Sequence, residues 1–206
     1  MSDPLGEMPT VGAPESPVGG PALPSVQGVA RVAEAGTVGR LVLRAGPEAL
    51  GALERALGPA LTGRINAATV AEGCTALRLG PDEWLLLADA NSDPWLAARI
   101  ADAAKGVAVS VVDVSHRNAG LVLSGSAVEA VLAVGCPLPL DLAAFPVGRA
   151  TRTVLAKAEI VLWRQDADRF QLEVARSFAP YVVALLGTAI DDEAAIAAAA
   201  RSRRSR

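Results

Sequence analysis

Asp113–Val114–Ser115–His116 places a carboxylate, a hydroxyl and the only imidazole of the chain within four residues. Imidazole titrates near neutral pH, so His116 has the intrinsic range of a general acid or base. It is also the sole histidine base that a serine nucleophile here could use. Asp113 could act as an acid or a ligand contact. The setting favours quieter roles. The tetrapeptide closes an apolar, buried strand expected over Val107–Val114, and polar side chains at strand ends ordinarily bond neighbouring backbone. Asp113 suits a carboxylate that accepts turn N–H groups. No Gly-x-Ser-x-Gly elbow presents a nucleophile. One histidine excludes a His-based metal cluster within one chain, and Cys74 and Cys136 match neither a zinc site nor a redox pair. Cys136 has no neighbouring Lys or His in sequence to activate it, so an inert thiol is expected. There is no Gly-x-Gly-x-x-Gly fingerprint and no phosphate loop. Arg149, Arg152, Lys157 and Arg164 are spaced along strands and read either as a basic stripe or as a solvated sheet face. Trp84 and Trp95 read as core, whereas Trp163 is expected to face an interface, where aromatics are enriched. The expected set of catalytic, cofactor-binding and metal-binding residues is therefore empty.

Composition narrows the classes further. The 206 residues are 51% hydrophobic but only 3% aromatic, so the core is built mainly from Leu, Val and Ala. A net charge of −3, evenly spread, does not make a nucleic-acid surface. Arg201, Arg203, Arg204 and Arg206 form a basic tail that reads as a solvated terminus. No run approaches the ~20 apolar residues of a membrane span. No Lys or Arg precedes Arg31 and no apolar segment follows the start, so a secretory signal is not expected. Two reduced thiols and these absences lead to the expectation of a cytoplasmic protein without membrane or nucleic-acid partners.

The elements that would position these residues come twice. Leu41–Gly46 running into Pro47–Leu53 matches Leu121–Ser126 running into Ala127–Leu132, at an offset of 80 residues. Asp82–Leu87 matches Asp168–Glu173, and Pro94–Ala98 matches Pro180–Ala184, both at an offset of 86. A loop insertion in the second copy accounts for the drift. The first half reads as a strand Val38–Ala45, a helix opened by Pro47 and closed at Gly58–Pro59, a hairpin of Thr75–Leu79 and Trp84–Ala88 turning at Gly80–Glu83, and a helix Pro94–Ala104. The second half reads as strands Val107–Val114 and Ala119–Leu123, a helix Ala127–Val134, a Pro-rich loop over 136–146, strands Ala150–Ala156, Ile160–Arg164 and Phe170–Val174, and a helix from Phe178 to Ile190. A further helix is expected over Glu193–Ala200. Residues 1–30 hold six of the 14 prolines and five of the 19 glycines, which predicts an arm that is disordered alone or ordered on a partner. The expected organisation is thus an arm (1–30), an α+β domain (31–190, halves 31–106 and 107–190) and an Ala- and Arg-rich tail (191–206).

The run Val112–Asp113–Val114–Ser115–His116–Arg117–Asn118–Ala119–Gly120–Leu121–Val122–Leu123–Ser124–Gly125 resembles the D-x-S-H…G…S-G segment of the folate-binding aminomethyltransferases, the glycine-cleavage T-proteins, whose α+β fold is built on pseudo-repeated halves. Gly135–Cys136–Pro137–Leu138–Pro139–Leu140–Asp141, Phe145–Pro146, Thr153–Ala158, Phe170 and Arg176–Ala179 resemble the gamma subunit family of heterotetrameric sarcosine oxidase, over about Gly36–Gly187. The resemblance implies a non-catalytic structural subunit in an alpha–beta–gamma–delta complex. Such a complex oxidatively demethylates sarcosine to glycine with oxygen as acceptor, yielding hydrogen peroxide and methylene-tetrahydrofolate or formaldehyde. It implies that FAD, FMN, NAD and tetrahydrofolate belong to the other chains, and that this one packs chiefly on the large alpha subunit. The alternative is a stand-alone folate-binding or one-carbon-transfer protein of the same fold, with Asp113 or Asp141 as the carboxylate for the pterin ring. The sequence leaves open whether the substrate is sarcosine or a related N-methyl amino acid.

Overall fold

The structure, a computed structural model, describes Val18 and residues 22–57, 61, 63–71, 73–89 and 96–204. Its elements run β1 (Ser25–Val26), β2 (Ala30–Glu34), β3 (Thr37–Ala45), α1 (Pro47–Leu57), β4 (Ala67–Ala71), β5 (Cys74–Arg78), β6 (Glu83–Asp89), α2 (Leu96–Ala103), β7 (Val109–Asp113), β8 (Asn118–Ser124), α3 (Val128–Ala133), β9 (Ala150–Leu155), β10 (Ala158–Asp166), β11 (Arg169–Ala175) and α4 (Ala179–Arg204). Period-2 alternation explains the layering. Leu41, Leu43 and Ala45 of β3 pack with Ala49, Leu53 and Leu57 of α1 and with Ile100 of α2. Pro47 opens α1 where its missing N–H costs nothing, with Glu48 in the first turn and Arg55 in the last. Leu121 and Leu123 of β8, Leu172 of β11 and Ile160 of β10 pack in the same way against α3 and α4. Between the sheets lies a smaller cluster of Leu77, Leu85, Leu87, Val114, Ala150 and Trp163. Four layers result: helices, sheet, sheet, helices.

One sheet runs β4-β5-β6-β3-β7, the other β9-β10-β11-β8-β2-β1, all antiparallel. The register repeats with the sequence. Leu41 pairs with Leu86 as Leu121 pairs with Leu172, and Leu43 with Trp84 as Leu123 with Phe170. The strand leading into each half lies in the other half's sheet: β2 beside β8, and β7 beside β3. The two crossings match as well, with Ala35 N–H on the Gly120 carbonyl at 2.9 Å and Val114 N–H on the Arg40 carbonyl at 2.8 Å. A bridge between Ala67 and Arg149 joins β4 to the start of β9 on the opposite side.

Several expectations change. Part of the expected arm is sheet: Ser25–Val26 pairs with Ala30–Arg31, Ala30 and Val32 are buried, and Val18 joins the same core, so this stretch buries its apolar groups within its own chain. The remaining residues of 1–21 lie outside the described residues, as do Trp95, the start of α2 at Pro94, and Gly58–Pro59. The strand expected to be buried over Val107–Val114 is an edge strand, with Ser110, Val112 and Asp113 exposed. The small residues Ala67–Ala71 form a strand where no alternation announces one. The two expected C-terminal helices are one, because no Gly or Pro interrupts 188–204.

Candidate functional site

Among the described residues, three of the four buried polar side chains, Arg40, Gln171 and Glu173, gather where the two halves cross. Arg40 on β3 and Glu173 on β11 form an ion pair, Nε to Oε2 at 2.5 Å, with side chains 6% and 1% exposed. Gln171 donates to Glu173 Oε1 at 2.8 Å, and Gln165 donates to Gln171 at 2.8 Å. Gly120 makes room for the pair. A Cβ there would lie 2.6 Å from Arg40 Nη2, 2.6 Å from Glu173 Oε1 and 2.8 Å from Ala35 Cβ. Beside this network the sheets part into a cleft of about 300 Å³, floored by Val42, Leu85 and Val161 and rimmed by Arg117, Arg152 and Glu159. Arg152 is paired with Glu83 of the other half, and Glu83 also meets Arg44 at 3.1 Å. The two groups that reach the cleft with full burial or an ion pair, Glu173 and Arg152, are thus engaged in holding the halves together. Among the described residues no group of three or more His, Cys, Asp or Glu is placed to hold a metal ion.

Asp113 is exposed, and its Oδ1 accepts the Ser115 backbone N–H at 2.8 Å. Ser115 Oγ in turn accepts the Arg40 backbone N–H at 2.9 Å. The Ser115 hydroxyl, then the Ser115 backbone N–H, hold the Asp113 carboxyl below the usual carboxylate range, with a smaller contribution from His116. The tetrapeptide is therefore a clasp that fastens the turn between β7 and β8 onto β3. His116 is exposed and does not line the cleft. Asp141 Oδ1 accepts the N–H groups of Ala143 and Ala144, both at 3.1 Å, and so closes a turn of the Pro-rich loop. Both carboxylates considered for a pterin ring are thus bound to backbone. Cys74 is buried in one helix-backed core and Cys136 in the other, and neither is in a disulfide.

Trp163 is a correction: it is buried in the core between the sheets, and among the described residues its Nε1 has no hydrogen-bond partner. The reason is the pleat, which pairs it with Ala150 and Gln171 on the inner face. Arg164 is a second correction, being fully buried and so no part of a stripe or solvated face. It donates to the carbonyls of Leu140 at 2.6 Å and Phe145 at 3.0 Å, pairs with Glu129 at 2.5 Å, and stacks over Phe170 at 4.7 Å. Arg78, 86 residues earlier, stacks over Trp84 at 5.0 Å and donates to the Gly63 carbonyl at 2.7 Å. Arg149 donates to the Ala144 carbonyl at 2.7 Å, while Lys157 is exposed at the turn between β9 and β10. Sequence reasoning missed Arg40 and Glu173. Their signal is visible in the repeat, where Arg40 stands at the position of Gly120 and Glu173 at that of Leu87.

This paired-half architecture is that of the aminomethyltransferase folate-binding domain: the structure superposes on the glycine cleavage system aminomethyltransferase T from Bartonella henselae with a TM-score of 0.58 at 18% identity, over 75% of this chain and 44% of that one. The likeness at that identity is one of fold. A chain of the heterotetrameric sarcosine oxidase from Corynebacterium sp. U-96, solved with pyrrole 2-carboxylate, superposes with a TM-score of 0.75 at 29% identity, over 82% of this chain and 88% of that one. The sarcosine oxidase subunit gamma of an Arthrobacter species is 41% identical over 125 residues, 59% of this chain and 61% of that protein, so this match spans less than two thirds of the relative. The model of the sarcosine oxidase gamma subunit family matches residues 44–192, and the chain belongs to that family.

Proposed function

We propose that this chain is the structural, non-catalytic gamma subunit of a heterotetrameric sarcosine oxidase. The complex oxidises the N–CH3 carbon of sarcosine, with two electrons passing to oxygen, and releases glycine, hydrogen peroxide and the one-carbon unit as methylene-tetrahydrofolate or formaldehyde. In this reading FAD, FMN, NAD and tetrahydrofolate are held by the alpha, beta and delta chains, and this subunit packs chiefly on alpha. The observation that carries the reading is the superposition on a chain of a heterotetrameric sarcosine oxidase over most of both chains. The engagement of Glu173, Arg152, Asp113 and Asp141 in contacts internal to the fold supports a structural role. A shared fold does not by itself carry the transferase activity of the aminomethyltransferases. Mild affinity purification of the tagged chain from its own host tests this. The expected eluate is yellow, contains a large and a medium flavoprotein chain, and produces peroxide when sarcosine is added. A colourless chain that elutes alone and binds tetrahydrofolate would replace the subunit reading with the stand-alone one.

A further inference from the structure

The two sheets differ at one edge. In the second half the exchanged strand β2 is itself covered by β1, with Ser25 opposite Arg31 and Val26 opposite Ala30. In the first half the exchanged strand β7 ends the sheet, and among the described residues nothing pairs with its outer side. Glu34 faces Leu121 as Asp113 faces Leu41, which fixes an offset of 79 between β2 and β7. The counterparts of Ser25 and Val26 are then Ala104 and Lys105, which close the end of α2 through bonds from Ala104 N–H to Ile100 and from Lys105 N–H to Asp102. The local chain is committed to a helix terminus there and cannot supply the covering strand. The bond from Val114 N–H to the Arg40 carbonyl sets the ladder parity, so the backbone groups of Val109, Val111 and Asp113 point outward. Val109–Asp113 contains no Pro or Lys, its one charged residue, Asp113, has its carboxylate turned onto the Ser115 N–H, and Val112 is 50% exposed beside this edge. Natural sheet edges are ordinarily blunted by such residues when they face water.

We infer that the outer edge of β7 takes an extended segment of a partner subunit as a sixth, antiparallel strand, the counterpart of β1. This rests on the subunit reading above, which makes a partner chain the available source. Main-chain hydrogen bonds would supply the affinity, and an apolar side chain of the incoming strand beside Val112 the register. The test uses the assembled complex, with a photo-crosslinking amino acid in place of Val112. The expected product joins this chain to a partner subunit. A product with a second copy of this chain, a product with this chain's own residues 1–17, or no product would overturn the inference. In parallel, Val111→Pro removes an outward N–H and leaves the ladder to β3 intact, whereas Val111→Thr keeps that N–H. The Pro variant is expected to recover about tenfold less partner chain and the Thr variant a normal amount. Equal recovery with both would count against the added strand. Amides of Val109, Val111 and Asp113 that exchange freely in the intact complex would also overturn it. Failure of the unmodified chain to bring down any partner overturns the subunit reading as well, while normal recovery with an open β7 edge overturns this inference alone.

Discussion

Arg40 and Glu173 occupy positions that the repeat would otherwise fill alike, and a fully symmetric molecule would bring like groups together there. The two halves instead diverged to Arg, Gly, Leu and Glu at positions 40, 120, 87 and 173, which lets one buried ion pair link them. Taking both charges out of water is costly, so the pair contributes little net stability, but removing one partner strands the other. Glu173→Leu is expected to cost about 3–5 kcal/mol in a urea titration, and Arg40→Met with Glu173→Leu to regain most of that loss. A double variant as unstable as the single one would show that the pair does not act as a unit. Asp113 makes a separate prediction. Its folded-state pKa lies below the unfolded value, chiefly through the Ser115 hydroxyl and backbone N–H. Its contribution is therefore present above the unfolded pKa and is lost as pH falls through the folded one. Unfolding followed from about pH 5 downward should show a shallower acid limb for Asp113→Asn, and an unchanged limb would mean that the clasp adds nothing.

The strand–helix–hairpin–helix units were legible because each rests on local signals: the alternation of Leu41, Leu43 and Ala45, Pro47 at the opening of α1, and the Gly80–Pro81 turn. What escaped depends on the distant chain. Ala67–Ala71 is a strand because β5 pairs with it, not through its own propensity. Residues 25–30 fall in the expected arm by composition, and β2, itself paired with β8 some 90 residues away, draws Ser25–Val26 into the sheet. The arginine clamps fall in the same class. Arg164 reads as a surface charge, yet it and Arg78 each stack on the aromatic residue of the next strand and bind loop carbonyls, a repeated device that only the 86-residue offset exposes. α4 shows the opposite effect, since helix propensity, with no Gly or Pro over 188–204, carries it beyond its last buried residue, Ile190. Residues 198–203 are exposed. Deleting residues 198–206 is expected to change unfolding stability by about 0.5 kcal/mol or less, and a loss of several kcal/mol would mean that the chain's own core depends on this end.

The exchange of β2 and β7 between sheets makes the two halves one folding unit, since neither sheet is complete without a strand from the other side. The bridge from β4 to β9, the Arg152–Glu83 pair and the Arg40–Glu173 pair tie the same seam. A domain devoted to its own cohesion suits a subunit that braces an assembly, and we propose that it does so without entering the chemistry. The test is turnover of the assembled oxidase carrying His116→Ala with Asp113→Asn, because the sequence offers these two side chains as acid and base. A subunit outside the chemistry leaves sarcosine-dependent kcat within about twofold of the unmodified complex, whereas a loss of about 100-fold or more at full assembly, the scale expected on removing a general acid or base, would place these residues in the reaction.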